Sequence, residues 1–243
     1  MTAIACQACP LRKKDIFIPF TSDEIKFMQS FKTGELEVDP GTTVLMEGSN
    51  SPQLYTVLSG MGTRYKTLEN GRRQVINFLF PGDFSGLQAS IMGEMKHSVE
   101  AATSMRLCVF RREEIWGLFR SHPERAYDLT WIAAVEEYFL GETIASIGQR
   151  DAAQRIAWAL VRIYERLRAV GLAKDGAVPL PFRQNDLADA LGLSLVHTNK
   201  TLQKLRGLNL VEWQNGVLKM GNLAALAKLA MIDLEQPERR PLM

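Results

Sequence analysis

The stretch QNDLADALGLSLVHTNKTLQKLR, Gln184–Arg206, decides how the chain is read. It predicts two short helices joined by a tight turn at Gly192. Leu187, Ala188, Leu191 and Leu193 mark the side that must be buried. Thr198, Leu202 and Leu205 carry that stripe into the second segment at spacings of three and four. Ser194 stands where a cap opens the second helix. Asn199, Lys200, Gln203 and Lys204 fall on the solvent side. A small residue where two helices cross, then glycine in the turn, is the layout of a helix-turn-helix that sets its second helix in the DNA major groove.

Downstream, Leu210–Trp213 and Val217–Met220 bracket Gln214-Asn215-Gly216, an Asn-Gly hairpin signal, so two helices and a hairpin predict a winged helix. Asn222 caps a last helix through Met231, and the tail from Pro237 reads as disordered. Upstream, Lys174–Pro181 reads as a linker. Before it, Asp151-Ala-Ala-Gln154 predicts a capping box opening a helix that runs to Val170 and stops at Gly171. A longer helix follows Pro123, with Leu129, Ile132, Val135, Phe139, Leu140, Ile144 and Ile147 as its apolar stripe. Trp131 and Tyr138 widen that stripe beyond a simple coiled-coil seam. It is suited to pack on the rest of the chain, on its own copy, or on both.

From Gly34 to Phe110 the pattern changes to short β segments between glycines. Leu54–Leu58 reads as a strand. Arg64–Leu68 and Gln74–Phe80 flank Glu69-Asn70-Gly71-Arg72, a second Asn-Gly hairpin. Many short strands at this spacing predict a jelly roll or barrel. Residues 22–31 precede it as a short helix with Ser22 as the expected cap. The fold class is α+β, divided as residues 1–122, 123–150 and 151–243.

The 243 residues are 46% hydrophobic and 23% charged, values of a globular domain. No apolar run is long enough for a membrane span and no signal-peptide core opens the chain, so a cytosolic protein without a membrane partner is expected. The net charge of +2 is unevenly spread. Residues 151–243 carry 13 Lys and Arg against 9 Asp and Glu, hence +4, while residues 1–150 carry 16 against 18, hence −2. The basic surplus lies with the helix-turn-helix, where phosphate contacts need it.

PGTTVLMEG, LYTVLSG, NGRRQVINFLFPGDFSG, DAAQRIAWAL and DLADALGLSLVHTNKTLQKLR, in this order, resemble the Crp–Fnr superfamily of bacterial transcription regulators over nearly the whole chain. The resemblance implies a cyclic-nucleotide-binding-like β-roll, a long dimerisation helix and a C-terminal winged helix-turn-helix. It further implies a homodimer on two-fold double-stranded DNA, which contacts RNA polymerase if it is an activator. Family members read bases at positions matching Val196, Asn199 and Lys200. Many carry glutamate in place of Val196 and arginine in place of Lys200. Valine cannot accept from cytosine N4 but can meet a thymine methyl; Asn199 suits adenine, and Lys200 suits guanine or a phosphate. Ser194 and His197 are expected on phosphate. Gln184 and Lys204 complete the candidate DNA contacts. The bland alternative is that Val196 packs internally and the polar residues form a plain solvated face.

In the cyclic-nucleotide branch a glycine-glutamate pair and an arginine-serine pair hold the ligand. The matching residues here are Gly86-Leu87-Gln88 and His97-Ser98. Leucine replaces the ribose-binding acid and histidine the phosphate-pairing arginine, which argues against cyclic AMP. His97 reads as a surface residue rather than a haem ligand. The oxygen-sensing branch holds a 4Fe–4S cluster on three N-terminal cysteines and a distant one. Cys6, Cys9 and Cys108 match three of these positions, and the fourth falls on Asp15 or on Phe17, depending on the anchor. A labile cluster with Asp15 as a ligand, reversible thiol oxidation, another small ligand, or a plain core role for Cys108 all remain open.

Three functions follow: a dimeric regulator with a redox-, oxygen- or metabolite-responsive roll, a constitutive DNA-binding dimer whose roll is only a scaffold, or a Cys-x-x-Cys thiol oxidoreductase. The last is the weakest, because the cysteine pair precedes any strand–helix unit. No catalytic constellation stands out, and with three histidines a zinc hydrolase site is hard to assemble, so no enzyme is expected.

Overall fold

The computed structural model describes residues 3–234 and 236–243. Two 3₁₀ turns, Cys6–Ala8 and Leu11–Lys13, precede α1 (Ser22–Phe31). Thr21, rather than Ser22, opens that helix: its hydroxyl accepts from Glu24 N at 3.2 Å and Glu24 Oε2 accepts from Thr21 N at 2.7 Å. Ser22 is therefore already helical. Threonine one residue earlier wins because only its position lets the residue three further on be a reciprocating glutamate.

The strands follow as β1 (Lys32–Val38), β2 (Thr43–Leu45), β3 (Gln53–Ser59), β4 (Gly62–Thr67), β5 (Arg73–Leu79) and β6 (Phe84–Ser85). After the short helix α2 (Leu87–Met92) come β7 (Ser98–Ala101) and β8 (Met105–Arg111). They form two four-stranded sheets of order β1-β8-β3-β6 and β2-β7-β4-β5. The roll's core lies where these sheets face each other, with Tyr55, Val57, Leu107 and Val109 from one and Leu45, Leu79 and Val99 from the other. At the β3–β4 turn Gly60 has φ +83°, and a Cβ there would lie 2.2 Å from Ser104 O, so no other residue fits without displacing backbone. On the other face of the first sheet Phe110 stacks on Phe31 of α1, ring centroids 5.0 Å apart.

Next come α3 (Ile115–Ser121), α4 (Pro123–Gln149) and α5 (Ala152–Ala169). Asp151 caps α5 through the expected box: Gln154 N donates to its carboxylate at 2.9 Å and Gln154 Oε1 accepts from Asp151 N at 2.9 Å. Then follow β9 (Ala177–Pro179), α6 (Gln184–Leu191), α7 (Leu195–Gly207), β10 (Val211–Gln214), β11 (Val217–Met220) and α8 (Leu223–Leu229). The expected linker 174–181 thus contains a strand. β9 pairs antiparallel with β11, giving the sheet β10-β11-β9. Its short, proline-flanked sequence carries no alternation long enough to announce a strand, and pairing with the wing supplies what propensity does not.

The chain divides into two compact units. The first comprises the described residues up to Lys66 together with Asn77–Glu137 and Arg239–Met243; the second comprises Thr67–Ile76 and Tyr138–Glu238. The division runs through α4. The tail expected to be disordered is ordered at its end: Leu242 and Met243 are buried in the first unit. Polar composition upstream of them conceals two apolar side chains with a place to go.

Candidate DNA interface and sensory roll

In the second unit, Gly192 ends α6 with φ +64°, a left-handed cap that glycine takes without strain. Ser194 then opens α7 by accepting from His197 N at 3.2 Å. Leu187, Ala188 and Leu191 of α6 and Thr198, Thr201, Leu202 and Leu205 of α7 are buried, so the two helices share one apolar seam. Leu193, at the turn, is only half-buried. Arg155 of α5 donates to Leu191 O at 3.3 Å, closing an otherwise open carbonyl at the end of α6.

Burial of Thr198 and Leu202 turns the opposite side outwards. Ser194, Val196, His197, Lys200, Gln203 and Lys204 are exposed along it, and Val196 is 65% exposed, so it does not pack internally. Asn199 is half-buried, and its side-chain oxygen is shielded and has no hydrogen-bond partner. Gln184 is the first residue of α6 and half-buried, while Arg183 N donates to Asp186 at 2.8 Å. Six of the seven candidate DNA contacts therefore lie on or beside one helix, and Gln184 opens the other. The wing hairpin turns through Asn215 (φ +51°) and Gly216 (φ +72°), a two-residue connection whose twist matches that of the strands.

In the first unit, Gly86 takes φ +103° and leads into α2, where Gln88 accepts from Lys96 N at 3.0 Å. Ser98 accepts from Glu47 N at 3.0 Å. The dominant group nearby is one that sequence reasoning missed. Arg64 of β4 is buried, paired with Glu136 of α4 at 2.9 Å, and donates to Phe84 O at 2.6 Å and to Ser85 Oγ at 3.3 Å. Asn77 donates to the same Glu136 oxygen at 3.1 Å. His97 is half-buried rather than a surface residue. Desolvation, reinforced by the Arg64 charge, lowers its imidazole to about 4 and keeps it neutral at neutral pH. An arginine at an inward strand position was the available signal.

The three cysteines lie near enough for Cys6 and Cys9 to act electrostatically on Cys108. Burial pushes the Cys108 thiol up to about 12, and the charges of Lys32, Cys9 and Cys6 all act on it. Burial likewise raises Cys6. Among these sulfurs stands Lys32, whose Nζ donates to Ile4 O at 2.6 Å and to Glu35 Oε1 at 2.5 Å. Glu35 also accepts from Ile4 N at 2.8 Å and from Arg106 Nε at 2.5 Å. Asp15 is exposed, and Phe17, the other position weighed for the fourth ligand, is buried. Among the described residues no group of three or more Cys, His, Asp and Glu has the arrangement of a metal site. Three cysteines with a buried ammonium and an already engaged carboxylate among them supply no fourth ligand for a four-ligand cluster.

Comparison with known proteins agrees with this geometry. Residues 35–122 match the cyclic nucleotide-binding domain family and residues 154–229 the Crp-like helix-turn-helix domain. The nitrogen fixation regulation protein FixK of Bradyrhizobium diazoefficiens is 28% identical over 225 residues, 93% of each chain. FixK of Rhizobium meliloti is 30% identical over 201 residues, 82% of each chain. The structure of FixK2 from Bradyrhizobium japonicum superposes with a TM-score of 0.73 at 23% identity, over 83% of this chain and 98% of that one. With a β-roll, a long helix and a winged helix-turn-helix in that order, the chain belongs to the Crp–Fnr superfamily of DNA-binding transcription regulators.

Proposed function

We propose that the protein acts as a homodimer that reads a two-fold operator through α7, with Val196, Asn199 and Lys200 facing base edges. Ser194, His197, Lys204 and, from α6, Gln184 face the phosphates. One observation carries this reading: α7 buries Thr198, Thr201, Leu202 and Leu205 and leaves the complementary face polar, basic and open. Pairing of adenine with Asn199 requires its amide to turn outwards, since the oxygen is shielded in the free protein. A dimer is supported by α4, which leaves Val135, Tyr138 and Ile144 at 42%, 67% and 72% exposure. A second α4 is the natural cover for such a face. If the protein activates, RNA polymerase is its further partner.

The roll is the input. Cyclic AMP does not suit it: the position of the phosphate-pairing arginine holds neutral His97, and the nearby Arg64 is already committed to Glu136. Burial holds Cys6 and Cys108 as thiols, which disfavours their oxidation while the roll is closed. A constitutive scaffold is the second reading, favoured by the engagement of Arg64 with Glu136 and of Lys32 with Glu35.

The test is operator binding by Asn199→Ala at fixed salt. Loss of discrimination at a single base position, about 1–3 kcal/mol, is expected. An equal loss on specific and random DNA assigns Asn199 to the backbone instead.

A further inference from the structure

We propose that the first unit carries a docking site for the segment Arg239–Met243, and that this segment works as an intramolecular strap on the roll. The inference is independent of which bases α7 reads. Residues 236–239 are exposed, whereas Leu242 and Met243 are 4% and 3% exposed, so the chain passes abruptly from solvent into a binding site. Arg240 is held by four kinds of contact. Its N donates to Ile16 O at 2.8 Å and its O accepts from Ile18 N at 2.9 Å, a parallel β-bridge to Phe17. Its guanidinium pairs with Asp83 at 2.9 Å, donates to Pro81 O at 3.3 Å, and lies 5.1 Å above the Phe17 ring. Asp83 is itself fixed, because its other oxygen accepts from Phe80 N at 2.8 Å. Two further groups grip the backbone beyond: Arg125 donates to Leu242 O at 3.3 Å, and the buried Thr56 hydroxyl donates to Met243 O.

The site combines the features of peptide recognition by strand addition: main-chain bonds for affinity, an acidic residue for the arginine, and covered positions for two apolar side chains. Gly82 is part of it, since a Cβ there would lie 2.2 Å from Phe17 Cζ and 3.0 Å from Arg240 Nη2. Its ligand class is therefore a short extended peptide of the form basic–proline–apolar–apolar, supplied here by Arg240-Pro241-Leu242-Met243. Two consequences follow from chain connectivity alone. The docked residues follow the winged helix in sequence, so the strap joins the end of the DNA-binding unit to the roll. The groove wall Ile16–Ile18 continues the cysteine-bearing N-terminal segment, so release of the strap frees the segment that holds Phe17.

The test uses a labelled synthetic peptide spanning residues 236–243, the full chain, and a variant ending at Glu238. The shortened chain should bind the peptide saturably and at least tenfold more tightly than the full chain, whose site is taken. Asp83→Asn in the shortened chain should weaken that binding at least tenfold. Should the shortened chain fail to fold, the full-length Arg240→Ala variant decides. Hydrogen exchange at the Ile18 amide should accelerate at least tenfold while the exchange of β3 and β8 amides stays unchanged. Equal peptide binding by both chains, binding by neither, or unchanged Ile18 exchange in Arg240→Ala overturns the proposal.

Discussion

The outer face of α7 and the interior of the roll handle charge in opposite ways. Along α7, His197, Lys200, Gln203 and Lys204 stand in solvent with no side-chain partner among the described residues. Inside and around the roll, the charged groups are already engaged: Arg64 by Glu136, Lys32 by Glu35, and Glu35 in turn by Arg106. Desolvated charges persist only when paired, whereas exposed charges lose little by waiting for a partner. The difference teaches that the outer face of α7 can gain contacts on binding. A signal acting on these charges of the roll has to displace contacts they already make.

Chemical modification offers the largest effect by which this comparison can be broken. With its thiol pushed up to about 12 by burial, Cys108 should react with iodoacetamide at neutral pH at least about 100-fold more slowly than in the unfolded chain. Equal rates, read by mass spectrometry of the alkylated peptide, would mean the roll is open where it looks closed. Next in size is Glu136→Ala, which leaves the Arg64 guanidinium buried and unpaired. A loss of about 3 kcal/mol is expected, at the low end for buried pairs because Glu136 is partly solvated. Slower or unchanged hydrogen exchange in the roll strands would show that the pair does not hold them.

His97 contributes a smaller effect, with a definite sign. Its folded value of about 4 lies below the ordinary 6.5, so the unfolded chain takes up the proton first. Stability is complete above about pH 6.5 and declines as pH falls towards 4, by on the order of 2 kcal/mol. His97→Gln should flatten that slope in urea titrations between pH 7 and 5, and an unaltered slope would place its cause elsewhere. Smallest is Lys204→Ala, which should weaken binding by about 1 kcal/mol or less on every sequence alike. The salt slope of log K should fall by about one. A sequence-dependent loss would move Lys204 from the phosphates to the bases.

How much of this was legible depended on whether a feature is local. Ser194, Gly192, Asp151 with Gln154, and Asn215-Gly216 announce themselves because caps and turns are decided within four residues, and each appears where expected. Ser22 was misplaced by one residue for the same reason, since Thr21 is an equally good cap with a better-placed glutamate. β9 and the ordered tail were hidden, because pairing with β11 and burial against Thr56 depend on residues far away in sequence. The same holds at the candidate sites. The recognition face follows from helical periodicity alone, whereas the Arg64–Glu136 and Lys32–Glu35 pairs become visible only once strands and helices are brought together. A shared neighbourhood for Cys6, Cys9 and Cys108 was an expectation from family resemblance; the charge of Lys32 acting on Cys6 and Cys108 was not.

The third strand of the wing sheet also has a practical meaning. Since β9 is hydrogen-bonded to β11 through Ala177, Val178 and Pro179, the stretch before the helix-turn-helix is a beam and not a hinge. A reporter dye or short epitope inserted there would pry open the small sheet beside the reading helix. The exposed Asp175, in the turn before that strand, is the better point of attachment for anyone wishing to watch this domain on DNA.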